Sequence, residues 1–286
     1  MRISILGAGN MGGAIFNHLS QKTEFELALI DPQIDKIWES LGQSSKTQSP
    51  LLFKNLLQYT QYLKQKKTIL VLAIKPKQLF SLYEEIKVSE NLSFDNFVIV
   101  SVVAGISIST LRKIFKTKGI VRAMPNTPVT VGHGMTGLYF PKNIPTNNKE
   151  NVLAIFELLG KTLIVNSEKK LHSVTALSGS GPAYFFYFYE ALLSTGKELG
   201  LSKKEVLLLV KQTAIGATTL FCETKEPINI LRENVTSKGG TTEIGLETLE
   251  KYEFAKGVLK AVLNAKERSI ALGLEINSKI QENTQK

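Results

Sequence analysis

Short apolar runs alternate with amphipathic stretches along the first half of the chain. The runs at 69–74 (ILVLAI) and 97–103 (FVIVSVV) are apolar on both faces, which is typical of strands buried in a parallel sheet. Helical periodicity follows them at 78–86 and 108–115. Strands that alternate with helices predict an α/β fold with a doubly wound, mostly parallel sheet. The predicted strands are residues 3–6, 27–30, 69–74, 97–103 and 120–124, with 138–140 as an additional short strand.

The second half of the chain has helical periodicity and no convincing strand. Ser202 and Glu205 have the spacing of a capping box at the start of one helix. Several segments, such as KEVLLLVKQTAIGATTLF, are apolar around most of their circumference and need burial on several sides. A domain of this size cannot bury them alone, so we expect an all-helical dimerisation domain at 165–286, after an α/β domain at 1–164. The predicted helices are residues 182–199, 202–222, 242–249 and 254–272, followed by a frayed tail from residue 277.

The composition is that of a globular protein, with 43% hydrophobic and 21% charged residues among 286. The single Cys222 excludes an internal disulfide and a multi-cysteine metal site. The three histidines lack the spacing of metal ligands, so we expect no metal. One free cysteine, glycines that interrupt the first apolar segment, and apolar runs well short of about 20 residues predict a cytoplasmic protein with no membrane segment.

The net charge of +10 is the one compositional feature that suggests a ligand class. Lysines and arginines are spread along the chain, and no helix has the basic pattern of a nucleic-acid recognition helix. We therefore expect no nucleic-acid partner. The surplus positive charge instead favours small anionic substrates and cofactors.

Gly7, Gly9 and Gly12 follow the first predicted strand and open a predicted helix. This context is the dinucleotide-binding fingerprint, in which glycines let backbone amides approach a pyrophosphate at a helix N-terminus. Asp31, at the end of the second strand, suits a ribose 2′-hydroxyl and repels a 2′-phosphate, which favours NAD over NADP. Lys36 could turn back and offset that charge, although a plain surface lysine is the favoured interpretation of this residue. The choice stays open, and the expected cofactor is NADP or NAD.

Five further stretches combine small residues, prolines and hydroxyl groups. Three of them contain Lys75-Pro76, Ala104-Gly105 and Arg122, and each lies where a predicted parallel strand ends, the edge at which doubly wound sheets bind ligands. Residues 178–181 (SGSG) and 237–242 (SKGGTT) each precede a predicted helix. Turns of this kind expose backbone N–H groups and hydroxyls that suit a small carboxylate. We expect the two turns to face each other across a dimer and to hold the substrate carboxylate together.

The motifs GxGNMG, AxKP, AG[IV], RAMPNTP, LSGSGPAY and SxGGTT occur in this order along the chain. They resemble the pyrroline-5-carboxylate reductase family over essentially the whole length. The resemblance implies a Rossmann domain, an all-helical dimerisation domain, and an active site completed by both subunits of a homo-oligomer. It also implies reduction of L-1-pyrroline-5-carboxylate to L-proline by NADPH or NADH, the last step of proline biosynthesis. The implied cofactor contacts, together with Asp31, are Leu6, Gly7, Ala8, Gly9, Asn10, Met11, Ala73, Ile74, Lys75, Pro76, Val103, Ala104 and Gly105.

The resemblance also assigns the substrate side of the site. Thr242 is expected to donate a hydrogen bond to the imine nitrogen, with a simple helix cap as its alternative role. Glu168 is expected to orient the substrate or a water, with an exposed surface residue as the alternative. Arg122 is either structural or sets the substrate loop. The expected substrate contacts are Ser178, Gly179, Ser180, Gly181, Asn234, Ser237, Gly240, Thr241 and Thr242, with Thr242 and Glu168 as the catalytic residues.

Three positions depart from the family pattern. Lys238 stands where proline is common, Pro227-Ile228 where many members have His-Pro, and Asp31 where members often carry a residue friendlier to a phosphate. The last departure leaves the cofactor preference open. Two other functions compete with this interpretation. A β-hydroxyacid dehydrogenase needs a lysine acid on a helix of the second domain, where segment 182–199 has only Lys197 near its far end. A dinucleotide-sensing regulator without chemistry would not need both carboxylate-binding turns.

Overall fold

A computed structural model describes residues 1–21, 25–41, 50–63, 66–89 and 92–284. Within these residues, eight strands form one sheet. The strands are β1 (Arg2–Leu6), β2 (Glu26–Ile30), β3 (Leu51–Phe53), β4 (Thr68–Leu72), β5 (Phe97–Ser101), β6 (Ile120–Met124), β7 (Gly134–Tyr139) and β8 (Gly160–Ile164). Their order is β3-β2-β1-β4-β5-β6-β7-β8, and the β6–β7 pair is antiparallel while the other pairs are parallel.

Helices connect the strands and form the rest of the chain. Those of the sheet region are α1 (Asn10–Leu19), α2 (Ile34–Leu41), α3 (Leu56–Leu63), α4 (Leu79–Val88), α5 (Ile108–Phe115) and α6 (Thr146–Glu157). Those that follow are α7 (Lys170–Val174), α8 (Gly181–Ser194), α9 (Lys203–Glu223), α10 (Ile228–Asn234), α11 (Thr241–Lys251) and α12 (Phe254–Thr284). The predicted doubly wound, mostly parallel sheet followed by a helical region is confirmed.

The sheet has a core on each face because its central strands are apolar throughout. All residues of β4 are buried, with Ile69 and Val71 packed in one cluster and Leu70 and Leu72 in the other. Successive side chains of a strand point to opposite faces, so a continuous apolar run serves both cores. Chain order reverses between β1 and β4, which makes the carboxyl edge of these two strands the expected ligand-binding crevice.

The strand predictions differ from the structure at the weak and edge positions. Strands β4 and β5 end at Leu72 and Ser101, earlier than predicted, because the next residues leave the sheet as loops. The predicted 138–140 strand is a longer one, Gly134–Tyr139. Strands β3 and β8 were not predicted. β3 has only three residues, and β8 is an edge strand with most residues exposed, so neither leaves a strong apolar pattern.

The helical region also differs in detail. The capping box of Ser202 and Glu205 is present at the start of α9. The helix predicted for 182–199 ends at Ser194, and α10 was not predicted. The prediction of a frayed tail from residue 277 is wrong: α12 continues to Thr284, and Ile280 is fully buried against the sheet region. Apolar residues at helical spacing within a polar tail were the missed signal.

The chain divides into two compact units, 1–181 with 265–286, and 182–264. The division into domains at residue 164 stays a prediction. In segment 182–264, Val206 is the one large apolar side chain that is buried. Others, such as Phe186, Leu208 and Tyr252, are at least 60% exposed. Helix α9 is also long and apolar enough, by length and composition alone, to cross a membrane, although the sequence predicted no such segment.

Candidate dinucleotide and substrate site

The loop after β1 has the shape that a pyrophosphate requires. Gly7 has a φ of +96°, and a Cβ on it would lie 2.8 Å from the carbonyl oxygen of Ala73. A Cβ on Gly12 would lie 1.9 Å from the carbonyl oxygen of Gly7. A Cβ on Gly9, in contrast, would meet nothing within 4 Å. Gly9 is also the N-cap of α1, and it has no side chain that could bind the first N–H groups of the helix. These residues fit a dinucleotide.

Asp31 follows β2 at the same edge and is fixed by four hydrogen bonds. Its carboxylate accepts from the Ala8 N–H and the Gln33 N–H, each at 2.9 Å. Its own N–H donates to the carbonyl of Phe53, and its carbonyl accepts from the N–H of Ile34, each at 3.0 Å. Asp31 therefore ties the glycine loop to the end of β2.

Two further predicted cofactor loops lie at the same edge of the sheet. Residues 73–76 follow β4, where the Ala73 N–H donates to the Leu6 carbonyl at 2.8 Å and joins this loop to the end of β1. The Lys75 N–H donates to Oε1 of Gln78 at 2.9 Å. Residues 103–105 follow β5, the next strand in the sheet. With Asp31 after β2 and the glycine loop after β1, the structure thus brings the expected cofactor residues to four neighbouring strand ends.

The end of α12 packs directly on the loop at Gly105. Gly105 has a φ of +80°, and a Cβ on it would lie 2.8 Å from the Ser269 carbonyl oxygen and 3.0 Å from the Gly273 nitrogen. A Cβ on Gly273 would lie 2.2 Å from the Gly105 carbonyl oxygen. Nearby, the Thr110 hydroxyl donates to Oδ1 of Asn277 at 2.9 Å. The C-terminal helix therefore fixes a loop expected to contact the cofactor.

We expect Gly273→Ala to destabilise the protein by about 1–3 kcal/mol, because the added methyl group overlaps the Gly105 backbone. Displacement of that loop should also weaken dinucleotide binding. Urea unfolding and a binding titration measure the two effects. Ser278→Ala, an exposed change on the same helix, is the control and should alter stability by less than about 0.5 kcal/mol. Wild-type behaviour of Gly273→Ala would show that the contact is not needed.

Glu168 lies at the junction of three elements. Its Oε1 accepts from the N–H of Ile108, at the first turn of α5, at 2.7 Å and from Nη1 of Arg122 at 3.2 Å. The Arg122 side chain is 3% exposed and that of Glu168 is 28% exposed. Burial lowers the pKa of the Arg122 guanidinium, and the Glu168 charge opposes that shift. The pairing favours the structural interpretation of Arg122, and Glu168 is not a simple surface residue.

His172 lies beside this pair and bonds α7 to α12, with Nδ1 at 2.9 Å from the Ser269 hydroxyl. Burial lowers the pKa of the imidazole below 6.5, the charges of Arg122 and Lys266 lower it further, and Glu168 opposes them. The folded state therefore favours the neutral imidazole of His172 more than the unfolded chain does.

We expect stability to fall as the pH drops below about 6.5, because the unfolded chain then binds a proton at His172 that the folded chain does not. The contribution is fully present above pH 6.5 and is lost toward the lower folded pKa. Urea unfolding at about pH 7.5 and about pH 5.5 tests this. His172→Gln should lose less stability than the wild type over that interval, and an equal loss would contradict the assignment.

The segment 178–181 differs from its predicted form. Thr175–Gly179 is π-helical and lies between α7 and α8, and the Ser180 N–H donates to the Thr175 carbonyl at 2.8 Å. The prediction of an open turn with unpaired amides before a helix starting at Pro182 is therefore wrong, since α8 begins at Gly181 and helical backbone precedes it. The hydroxyls and small residues remain available as substrate contacts.

Asn126 holds this segment and was not singled out from the sequence. Its Nδ2 donates to the Ser178 carbonyl at 3.2 Å and to the Ser178 hydroxyl at 3.3 Å. Its Oδ1 accepts from the Met135 N–H at 2.8 Å. Asn126 is 9% exposed. Its place in the RAMPNTP motif was the available signal, because a buried amide usually has several fixed partners.

The other predicted substrate residues lie in the 182–264 unit. Asn234 is exposed at the end of α10, and its Nδ2 donates to Glu226 at 3.2 Å. In the 237–242 segment, the Gly239 N–H donates to Oε2 of Glu243 at 2.6 Å. Gly240 is the N-cap of α11 and has no side chain that could bind the first N–H groups of the helix. Thr242 is exposed in the first turn, and its hydroxyl has no hydrogen-bond partner among the residues that the structure describes.

Comparisons with known proteins bear on both halves of the chain. Residues 168–272 match the family described as pyrroline-5-carboxylate reductase dimerisation, and residues 2–105 match one described as NADP oxidoreductase coenzyme F420-dependent. A Staphylococcus aureus pyrroline-5-carboxylate reductase is 32% identical over 281 residues, covering 95% of this chain and 98% of that protein. One from Pasteurella multocida is 37% identical over 203 residues, covering 70% of this chain and 73% of that protein.

A solved structure extends the likeness to three dimensions. The crystal structure of Plasmodium falciparum pyrroline carboxylate reductase with NADP bound has a TM-score of 0.77 and 29% identity to this chain. The match covers 96% of this chain and 100% of that chain. The similarity therefore spans the sheet region and the helical region alike.

Proposed function

The chain belongs to the pyrroline-5-carboxylate reductase family, and from this premise we propose that it reduces L-1-pyrroline-5-carboxylate to L-proline in proline biosynthesis. The observation that carries the proposal is the glycine loop around Gly9, whose shape fits a dinucleotide and which lies at the same sheet edge as residues 73–76 and 103–105. The match to the Staphylococcus aureus reductase covers 95% of this chain. When bound, a reduced nicotinamide dinucleotide supplies a hydride to the imine carbon, and the ring nitrogen takes one proton.

The residues of the chain bind and orient the substrate in this proposal. Backbone N–H groups and hydroxyls of 237–242, together with the serine hydroxyls of 178–181, hold the carboxylate in an active site shared between subunits. Thr242 donates a hydrogen bond to the ring nitrogen. Gly240, and not Thr242, is the N-cap residue of α11. The Thr242 hydroxyl is therefore not used to cap the helix, which supports its role as a hydrogen-bond donor to the substrate. A threonine hydroxyl is a weak acid, so the proton itself arrives on the substrate or through water.

Glu168 orients the substrate or a water in the same proposal. One carboxylate oxygen is engaged with Ile108 and Arg122, and Oε2 has no partner among the described residues. The anchored oxygen fixes the direction of the second one. A carboxylate held in this way keeps its geometry during turnover, which is what positioning of a small ring requires.

We also propose a homodimer as the minimal assembly, in the cytoplasm. The exposed apolar side chains of 182–264 need a cover of matching apolar surface, and a second copy of the same helices supplies it. This accounts for the apolar character of α9 without a membrane, because exposed apolar side chains also occur on α8 and α11, which have no membrane-spanning character. A dehydrogenase of β-hydroxyacids is disfavoured, because α8 ends at Ser194 and Lys197 lies in the turn after it.

The direct test is the absorbance change of NADH or NADPH when purified protein is mixed with pyrroline-5-carboxylate.

We expect Thr242→Ala to lower kcat/KM about tenfold to hundredfold, because one hydrogen bond to the reacting ring is lost. Thr242→Ser, which keeps the hydroxyl, should retain most of the activity. Full turnover by Thr242→Ala would remove its assigned role, and dinucleotide binding without any turnover would favour the regulator instead.

A further inference from the structure

We propose that Asp31 makes this chain select NADH over NADPH, an inference that rests on the proposed dinucleotide-dependent function. The position is defined by the fold: Asp31 directly follows β2, and Oδ2 accepts from the N–H of Ala8 in the glycine loop. In doubly wound sheets, the adenosine ribose lies between this loop and the end of the second strand. Asp31 is partly exposed.

The carboxylate cannot turn away from a ligand. The Ala8 N–H binds one oxygen and the Gln33 N–H binds the other, each at 2.9 Å, and both donors belong to the backbone. Rotation of the side chain would leave both amides without their acceptor. Each carboxylate oxygen still has a second lone pair for a ligand. Asp31 is therefore a fixed acceptor with a fixed negative charge.

These properties act oppositely on the two cofactors. The 2′-hydroxyl of NADH donates a charge-assisted hydrogen bond to such a carboxylate. The 2′-phosphate of NADPH cannot donate when ionised, and it places up to two further negative charges beside Asp31. Because the carboxylate is held by the backbone, the repulsion is not relieved by a change of rotamer.

Two cations near Asp31 in the described part of the chain, Lys54 and Lys36, do not cancel this charge. Lys54 follows Phe53, whose carbonyl accepts from Asp31, but the ammonium of Lys54 pairs with Asp35 at 2.8 Å. Lys36 is exposed on α2 and has no ion-pair partner within the described part of the chain. Ordering that long, solvated side chain against a phosphate costs conformational entropy. The negative charge of Asp31 is therefore held in place by the backbone, whereas neither lysine is held against it.

The test measures dissociation constants of NADH and NADPH without substrate, by energy transfer from Trp38, the single tryptophan, to the reduced nicotinamide. We expect the wild type to bind NADH at least about tenfold more tightly. Asp31→Asn removes the charge at nearly constant shape and should reduce that ratio to about threefold or less. Glu39→Gln removes an equal charge from exposed α2 surface and should change the ratio by less than about twofold.

A second measurement on the wild type does not depend on how Asp31→Asn folds. Raising NaCl from about 0.05 M to about 0.5 M screens the repulsion, so the NADPH to NADH ratio of dissociation constants should fall. Equal or tighter binding of NADPH by the wild type, or a ratio unchanged by both Asp31→Asn and salt, overturns the proposal. Binding of neither dinucleotide contradicts the proposed function, whereas NADH-selective binding without turnover contradicts only the reductase chemistry.

Discussion

Gly9→Ala is expected to lower dinucleotide affinity about a hundredfold, a loss of about 2.7 kcal/mol, while leaving the free protein as stable as the wild type. The backbone of Gly9 has a φ of −68°, which alanine adopts readily, and an added Cβ meets no atom within 4 Å. That open space is where a pyrophosphate approaches the backbone amides. The methyl group therefore obstructs the ligand without disturbing the fold.

Titration with NADH and urea unfolding measure the two halves of this prediction. Gly12→Ala is the matched contrast, because its methyl group would lie 1.9 Å from the Gly7 carbonyl oxygen within the loop itself. It should destabilise the protein by about 3 kcal/mol as well as weaken binding. Unchanged NADH affinity in Gly9→Ala would remove the glycine loop from the proposed cofactor site.

Glu168→Ala is expected to destabilise the protein by about 3 kcal/mol. The substitution leaves the Arg122 guanidinium, 3% exposed, without its carboxylate partner, and removes the acceptor of the Ile108 N–H. An uncompensated buried charge is among the most destabilising results of a single substitution. The partial exposure of Glu168, 28%, keeps the expected cost at the lower end of the range for buried pairs.

Glu168→Gln separates the two roles of this residue. Its amide oxygen still accepts from Ile108 and Arg122, so the expected loss of stability is only about 1 kcal/mol, measured by urea unfolding. If Glu168 also orients the substrate, Glu168→Gln should raise KM or lower kcat by more than its small stability loss explains. Full activity of Glu168→Gln together with a stable Glu168→Ala would contradict both assignments.

The glycine loop was predictable from sequence because its information is local. Glycines at this spacing, between an apolar strand and a helix, predict the backbone geometry of the loop. The structure has Gly7, Gly9 and Gly12 in that geometry. The strands that precede residues 73–76 and 103–105 could also be predicted from sequence, because strands buried on both faces are apolar throughout. The prediction at 178–181 was wrong because SGSG also permits helical backbone when tertiary contacts hold it.

The order of the motifs and the apolar runs by themselves determined the fold class, the dinucleotide loop and the family, since each depends on neighbours along the chain. Only the tertiary structure decided the rest. Gly273 meets Gly105, Asn126 meets Ser178, and Glu168 meets the buried Arg122 through contacts between residues distant in sequence. Such pairings depend on how the folded elements pack against one another. The periodicity of apolar residues in the sequence does not predict which side chain a buried group will contact.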